Sequence, residues 1–222
     1  MLISLVLTAS FANASDCSDY SGQAFGLCNA YCEATDCDDN PNANQQACDN
    51  LYSLFEAATG EAPPCEITEY DVRTVYSGDD SIEVFVNGVA VAYQSGDFAW
   101  SQENSHQTIL TSGDHTIAYR VWDVARVIAG LGAFITVDGA IVAAVDDGSS
   151  FLVTSTDPGA GWADVGFDDS AFTVAQSCTW DPWWSTNLAE LDANGIVWGW
   201  SSSSCNPYTT PEAWFRVNLS LP

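Results

Sequence analysis

Two hydrophobic periods divide this chain. In "NANQQACDNLYSLFEAATG" the apolar positions Ala47, Leu51, Leu54, Phe55 and Ala58 fall three or four apart, with Asn42 or Asn44 available as a cap and Gly60 as a stop. Upstream, "SGQAFGLCNAYCEA" places Cys28 and Cys32 four apart, on one face of a helix that begins near Ser21. These patterns predict a small helical hairpin over residues 17–65, followed by the stiff linker "GEAPPCE". From residue 67 the period falls to two. Ile82, Val84 and Val86 alternate with Glu83, Phe85 and Asn87, and Asn87-Gly88 is a hairpin pair. Similar runs follow in "HTIAYRVWDVA", "GAFITVDGAIVAAVDDG", "SFLVTST" and "AWFRVNLSL". Strands that recur every ~8–15 residues with hardly any helix between them predict an antiparallel β-sandwich over residues 66–222.

The opening residues 1–16 fit neither pattern. Leu2, Ile3, Leu5, Val6 and Leu7 form an apolar run ahead of Ala12-Asn13-Ala14, an A-x-A cleavage pattern, yet no Lys or Arg precedes it. Two readings stay open. One is a secretion signal; the other is an assembly strand that adds to a sheet edge of a neighbouring subunit and builds a filament.

Cysteine usage sets the compartment. Cys17, Cys28, Cys32, Cys37, Cys48 and Cys65 crowd into the helical segment, while Cys178 and Cys205 stand alone in the β region and suggest a bridge that closes the loop between them. An even count behind a signal-like start points to disulfides and an extracellular or cell-surface setting. The spacing does not choose among the pairings of the first six. Metal binding by C-x3-C-x4-C is the weaker competitor, because no histidine lies nearby.

Charge narrows the partners. Thirty acids face four bases, all arginine, for a formal charge of −26. That balance argues against nucleic acid and anionic membranes, which need clustered cations. Without lysine there is no Schiff base, phosphate-loop lysine or Lys–Asn cross-link. No apolar window reaches the ~18 residues of a membrane span.

The motifs "SGDDSIEVFVNGVAVA", Trp100, "SGDHTIAYRVWD", "GAFITVDG", "GWADVGFDDSAF", "IVWGW" and "AWFRVNLSLP" resemble the galactose-binding-like jelly-roll domains of secreted proteins. The likeness runs from Tyr70 to Pro222, with Phe172 where that family often has Trp. It implies a jelly roll that binds sugars in some proteins and is a structural appendage in others. Related jelly rolls often hold a structural Ca²⁺ near an aspartate-rich loop, which makes Asp79 and Asp80 the first candidates. The segment "AFGLCNAYCEATDCD" is similar to a short module of secreted bacterial proteins, which speaks to localisation rather than activity.

Candidate chemistry is sparse. The aspartate doublets Asp38-Asp39, Asp79-Asp80, Asp146-Asp147 and Asp168-Asp169 sit beside turn formers. Aspartate favours turns by accepting nearby N–H groups, and turn carboxylates can also bind calcium. Asp168 and Asp169 join Asp79 and Asp80 as metal candidates. "CTWDPWW" puts Trp180, Trp183 and Trp184 in the loop between the last two cysteines, where they could stack on sugar rings, pack a core or meet another subunit. Trp198 and Trp200 share a strand face and read as core, as do Trp122 and Trp162. His106 and His115, the only histidines, lie in polar, turn-like sequence, and no nucleophile elbow, HExxH or phosphate loop occurs. Many carboxylate pairs exist, but a compact sandwich of this size more often binds than cleaves. Asn13 and Asn218 match the N-x-S glycosylation pattern. The expectation is therefore a non-enzymatic structural or adhesive protein of the cell surface that self-associates through its apolar N-terminal strand. The alternative is a secreted carbohydrate-binding module that takes surface glycans.

Overall fold

The change of period near residue 67 coincides with a division of the chain into two compact units, Met1–Ile67 and Thr68–Pro222. The computed structural model describes residues 21–24, 27, 45–60, 69–96, 99–124, 126–145, 148, 150–179, 188–205 and 211–222, with residues 45–49 and 99 as backbone only.

In the first unit, residues 22–24 and 27 are helical, and helix α1 spans Gln45–Thr59. Gly60 ends it as expected: φ is 78°, and its N–H donates to the Glu56 carbonyl at 2.7 Å. Phe55 is buried, whereas Leu54, on the predicted apolar stripe, is 52% exposed. The remainder of the predicted hairpin lies outside the described residues.

The second unit is mainly β. Its strands are β1 Glu69–Asp79, β2 Ser81–Val86, β3 Val89–Gln94, β4 Asn104–Thr111, β5 Gly113–Trp122, β6 Gly130–Val137, β7 Ala140–Ala144, β8 Leu152–Thr154, β9 Thr173–Val174, β10 Gln176–Ser177, β11 Gly199–Trp200 and β12 Glu212–Leu221. One sheet runs β10-β11-β6-β1-β4, with β7 also on β6; the other runs β3-β2-β5-β12-β8-β9. Neighbouring strands are antiparallel throughout the described pairs. Two tight turns follow from their sequences. Asn87-Gly88 (φ 49° and 82°) joins β2 to β3, and Asp138-Gly139 (φ 50° and 80°) joins β6 to β7, the positive-φ pairs that match strand twist.

Alternation then builds the core. Ile82, Val84 and Val86 of β2, Ile117, Tyr119 and Val121 of β5, and Phe215, Val217 and Leu219 of β12 line one face of the second sheet. They belong to the same buried cluster as Val72, Tyr76 and Leu131 of the first sheet, the arrangement of a β-sandwich. Trp200 meets Phe215 across the interior at 5.8 Å between ring centroids. Tyr119 brings a hydroxyl into this core and satisfies it on the Thr74 hydroxyl of the opposite sheet, at 2.5 Å. Trp198 and Trp200 are core residues, as their alternation with Gly199 implies.

The histidines depart from expectation. His106 lies in β4 and His115 in β5, not in turns. β4 reads as polar because it pairs only with β1 and sits at a sheet edge, so half of its residues face water. The His115 ring is used on both sides: Nε2 donates to the Thr111 carbonyl at 2.8 Å, and Nδ1 accepts from Asn87 Nδ2 at 3.0 Å.

Both outer sheet faces carry covers. On the first sheet, short helix α2 (Ala189–Ala193) is held by a bidentate pair from Arg73 to Glu190, both contacts at 2.7 Å, while the Glu103 carboxylate accepts the N–H groups of Glu190 and Leu191. On the second sheet, residues 155–172 pass over β12 as a strap. Arg216 points outward from β12 and is nevertheless completely buried. It donates to the carbonyls of Trp162 and Asp164, pairs with the Asp169 carboxylate at 3.2 Å and lies 5.2 Å from the Phe167 ring centroid. The Asp164 carboxylate covers the β2–β3 turn so closely that a Cβ on Gly88 would collide with its oxygen.

Truncation of Phe215 to Ala is expected to cost about 3–5 kcal/mol in chemical denaturation, the range for an aromatic removed from a packed core. Asp169→Ala leaves the guanidinium without its carboxylate. Because Asp169 is itself 20% exposed, the loss should lie at or below the about 3–5 kcal/mol typical of a broken buried pair.

Candidate functional site

The strap leaves part of the second sheet open, and register decides what stands there. On β2 the outward positions are Ser81, Glu83 and Phe85; opposite them on β5 are Trp122, Arg120 and Ala118. On β12, Glu212 pairs with Trp122 and Trp214 with Arg120, while Tyr93 of β3 pairs with Glu83. Ser81 is small, so Tyr93 reaches across β2 and stacks on Trp122, with ring centroids 5.9 Å apart and planes at 23°. Tyr93 remains 63% exposed.

Arg120 is held in the middle of this surface. Its Nε donates to Glu212, its Nη1 lies 3.7 Å from Glu83, and its guanidinium sits 5.2 Å from the Trp122 ring centroid. Its side chain is 42% exposed, against 29% for Glu83 and 28% for Glu212. A guanidinium carries five N–H donors and a carboxylate has two accepting oxygens, so the group presents both donors and acceptors beside an apolar ring. That combination suits a hydroxyl-rich ligand. At the other end of the same face, Phe85 meets Trp162 of the strap edge-on, at 5.3 Å and 73°, each half-buried. Trp122 and Trp162 are thus surface rings rather than the core residues that the sequence suggests.

A second cluster marks the point where the chain changes sheets. Asp79 ends β1 in one sheet, Ser81 begins β2 in the other, and the Asp79–Asp80 peptide between them is cis. Asp79, Asp80 and Asp123 are all buried. Asp80 Oδ2 accepts the Val124 N–H at 3.0 Å, and Asp123 Oδ1 accepts the Arg126 N–H at 2.6 Å. Among the described residues nothing hydrogen-bonds Asp123 Oδ2. Burial pushes the Asp123 carboxyl above the ordinary range; the Arg126 N–H opposes this, and the neighbouring Asp80 carboxyl adds to the rise. Two such groups are relieved by a proton held between them or by a cation. Calcium takes six to eight oxygens, and among the described residues no three acidic, His or Cys side chains converge as a ligand group.

The other expected residues have definite places. Asp168 accepts the Ser170 N–H at 3.1 Å in an exposed turn, and Asp169 is engaged by Arg216 and by Asn218 Nδ2. Asn218 is exposed on β12 and accepts from the Thr116 hydroxyl. Cys178 and Cys205 form a disulfide. Beside it, an open cleft of about 670 Å³ is lined by residues 173–179, Gly148 and Ser203. Trp180, Trp183 and Trp184 come within five residues after Thr179 in the chain but lie outside the described residues. So do Cys17, Cys28, Cys32, Cys37, Cys65, Asn13, Leu2, Ile3, Leu5, Val6 and Leu7, and the Cys48 side chain.

Sequence reasoning missed Glu83, Tyr93, Arg120, Trp122, Asp123 and Glu212. Its usable signal was phase: Glu83, Arg120 and Trp122 alternate with Ile82, Val84, Tyr119 and Val121, which face the core. No family model, curated protein or solved structure matches the chain.

An acid whose folded pKa is raised stabilises the fold below its unfolded pKa and loses that contribution as pH rises through the folded value. Asp123→Asn should therefore melt higher than the wild type at neutral pH, with the gap closing near pH ~4, the ordinary carboxylate range. Scanning calorimetry across pH tests this. A variant that melts lower at neutral pH, together with a wild type stabilised by added Ca²⁺, would instead place a cation between the two carboxyl groups.

Proposed function

We propose that this protein is a non-catalytic glycan-binding β-sandwich of the cell exterior, which contacts its ligand through the open face of the second sheet. The observation that carries the reading is the exposed Tyr93–Trp122 stack beside Arg120, itself set between Glu83 and Glu212. An adhesive role at a cell surface follows from glycan binding itself. Residues 2–9, the expected self-association strand, lie outside the described residues and carry no part of this reading.

The jelly-roll, galactose-binding-like character of the fold is part of the same proposal. Two motifs that carry the resemblance support it, because they meet in space: Phe167 and Asp169 of "GFDDS" both engage Arg216 of "WFR". Calcium enters this reading only as an ion that could take the place of a proton between Asp80 and Asp123.

A glycan array followed by calorimetric titration of any hit tests the function. Tyr93→Ala and Arg120→Ala should each weaken binding at least about tenfold, or about 1.4 kcal/mol. The melting temperature of the Tyr93 variant should hardly change, since that side chain is mostly exposed. An array without a single hit for the intact, disulfide-bonded protein would sink the proposal.

A further inference from the structure

Resting on the glycan-binding reading, we infer that the ligand is a linear, uncharged oligosaccharide of several rings, held by two aromatic platforms on one line rather than by a single sugar pocket. The platforms are Tyr93–Trp122 at one end of β2 and Phe85–Trp162 at the other. Ser81 lies beneath the first, Phe85 belongs to the second, and Glu83 stands between them on the same face. Ser81, opposite Trp122, and Phe85 lie four residues apart on extended β2, about 13 Å, and Tyr93, opposite Glu83, leans away from Phe85 to stack on Trp122. Stacking contact spans only about 4.5–7 Å between ring centres, so one pyranose cannot touch both platforms. A chain of rings can, and its middle then passes over Arg120, Glu83 and Glu212, whose donors and acceptors match ring hydroxyls.

Charge selects the class. Two carboxylates on the strip, within a chain of formal charge −26, repel uronic, sialylated and sulfated sugars. Arg120 is already paired with both carboxylates and leaves no free cation to hold an acidic ring, which favours the neutral chain. The second platform is preorganised. The Trp162 carbonyl accepts a hydrogen bond from buried Arg216, so the strap that carries the indole is pinned to the sheet before any ligand arrives.

Titration with neutral gluco- and xylo-oligosaccharides of one to six rings tests this. Affinity should climb at least tenfold with length and then level off. Trp162→Ala should return the longest ligand to the affinity of the shortest one that binds, leave that short ligand unchanged, and be rescued by Trp162→Phe. Phe85→Ala should act in the same way, a second route should the strap variant fold poorly. Affinity independent of length, equal losses for short and long ligands, or preference for an anionic chain would overturn the inference while leaving glycan binding intact. If no saccharide of any length or charge binds the wild type, the functional reading fails and this inference falls with it.

Discussion

Arg216 governs the outer half of this structure. Strand alternation forces every second residue of β12 away from the core, and a guanidinium there would ordinarily reach for water. Here it is fully buried, and its charge is met by the Asp169 carboxylate, the carbonyls of Trp162 and Asp164, and the face of Phe167. A buried cation costs several kcal/mol unless its partners are complete, so the strap of residues 155–172 is bound to the sheet for as long as the sheet exists. This one interaction decides which part of the face is closed and which part is left to meet a ligand.

The open part inherits its order from the sheet. Arg120 is held by carboxylates on two neighbouring strands, and Tyr93 can lie over β2 only because Ser81 beneath it is small. Both rest on backbone register, which a packed core specifies strictly: a slip by one residue would turn Ile82 and Val84 to water. The strand positions of the surface constellation are therefore set by the core they back onto. The crossing at Asp79-Asp80 belongs to the same logic. There the Asp80 N–H donates to the Trp122 carbonyl, so the chain stays bonded as it changes sheets, and the Asp80 and Asp123 carboxylates accept the N–H groups of Val124 and Arg126 where β5 has ended.

Much of the fold was legible. The Asn87-Gly88 and Asp138-Gly139 turns, the alternation of β2, the Gly60 stop and the pairing of Cys178 with Cys205 follow from local chemistry. β4 was not, because an edge strand with one wet face lacks the apolar run that announces a strand. Trp122 and Trp162 misled for a related reason: tryptophan is most often buried, which hid the outward phase of Trp122 on β5, and nothing local places Trp162 on the outer side. The candidate site was hardly legible at all. The tryptophans of "CTWDPWW" drew notice by clustering in sequence, whereas Tyr93, Arg120, Trp122 and Glu212 are spread over 120 residues and meet only through pairing.

What the sequence determined by itself was period, punctuation and charge: a helical segment, a run of β-strands, tight turns at Asn-Gly and Asp-Gly, and an acidic surface that turns away polyanions. These are properties of neighbouring residues, set by backbone sterics and by the summed charge. The tertiary structure alone decided that Asp169 neutralises Arg216, that Asp123 faces Asp80, and that two aromatic pairs flank one arginine on a single face. Contacts of that kind depend on strand order and register. Those emerge only when both sheets bury their apolar sides together, so no local pattern encodes them.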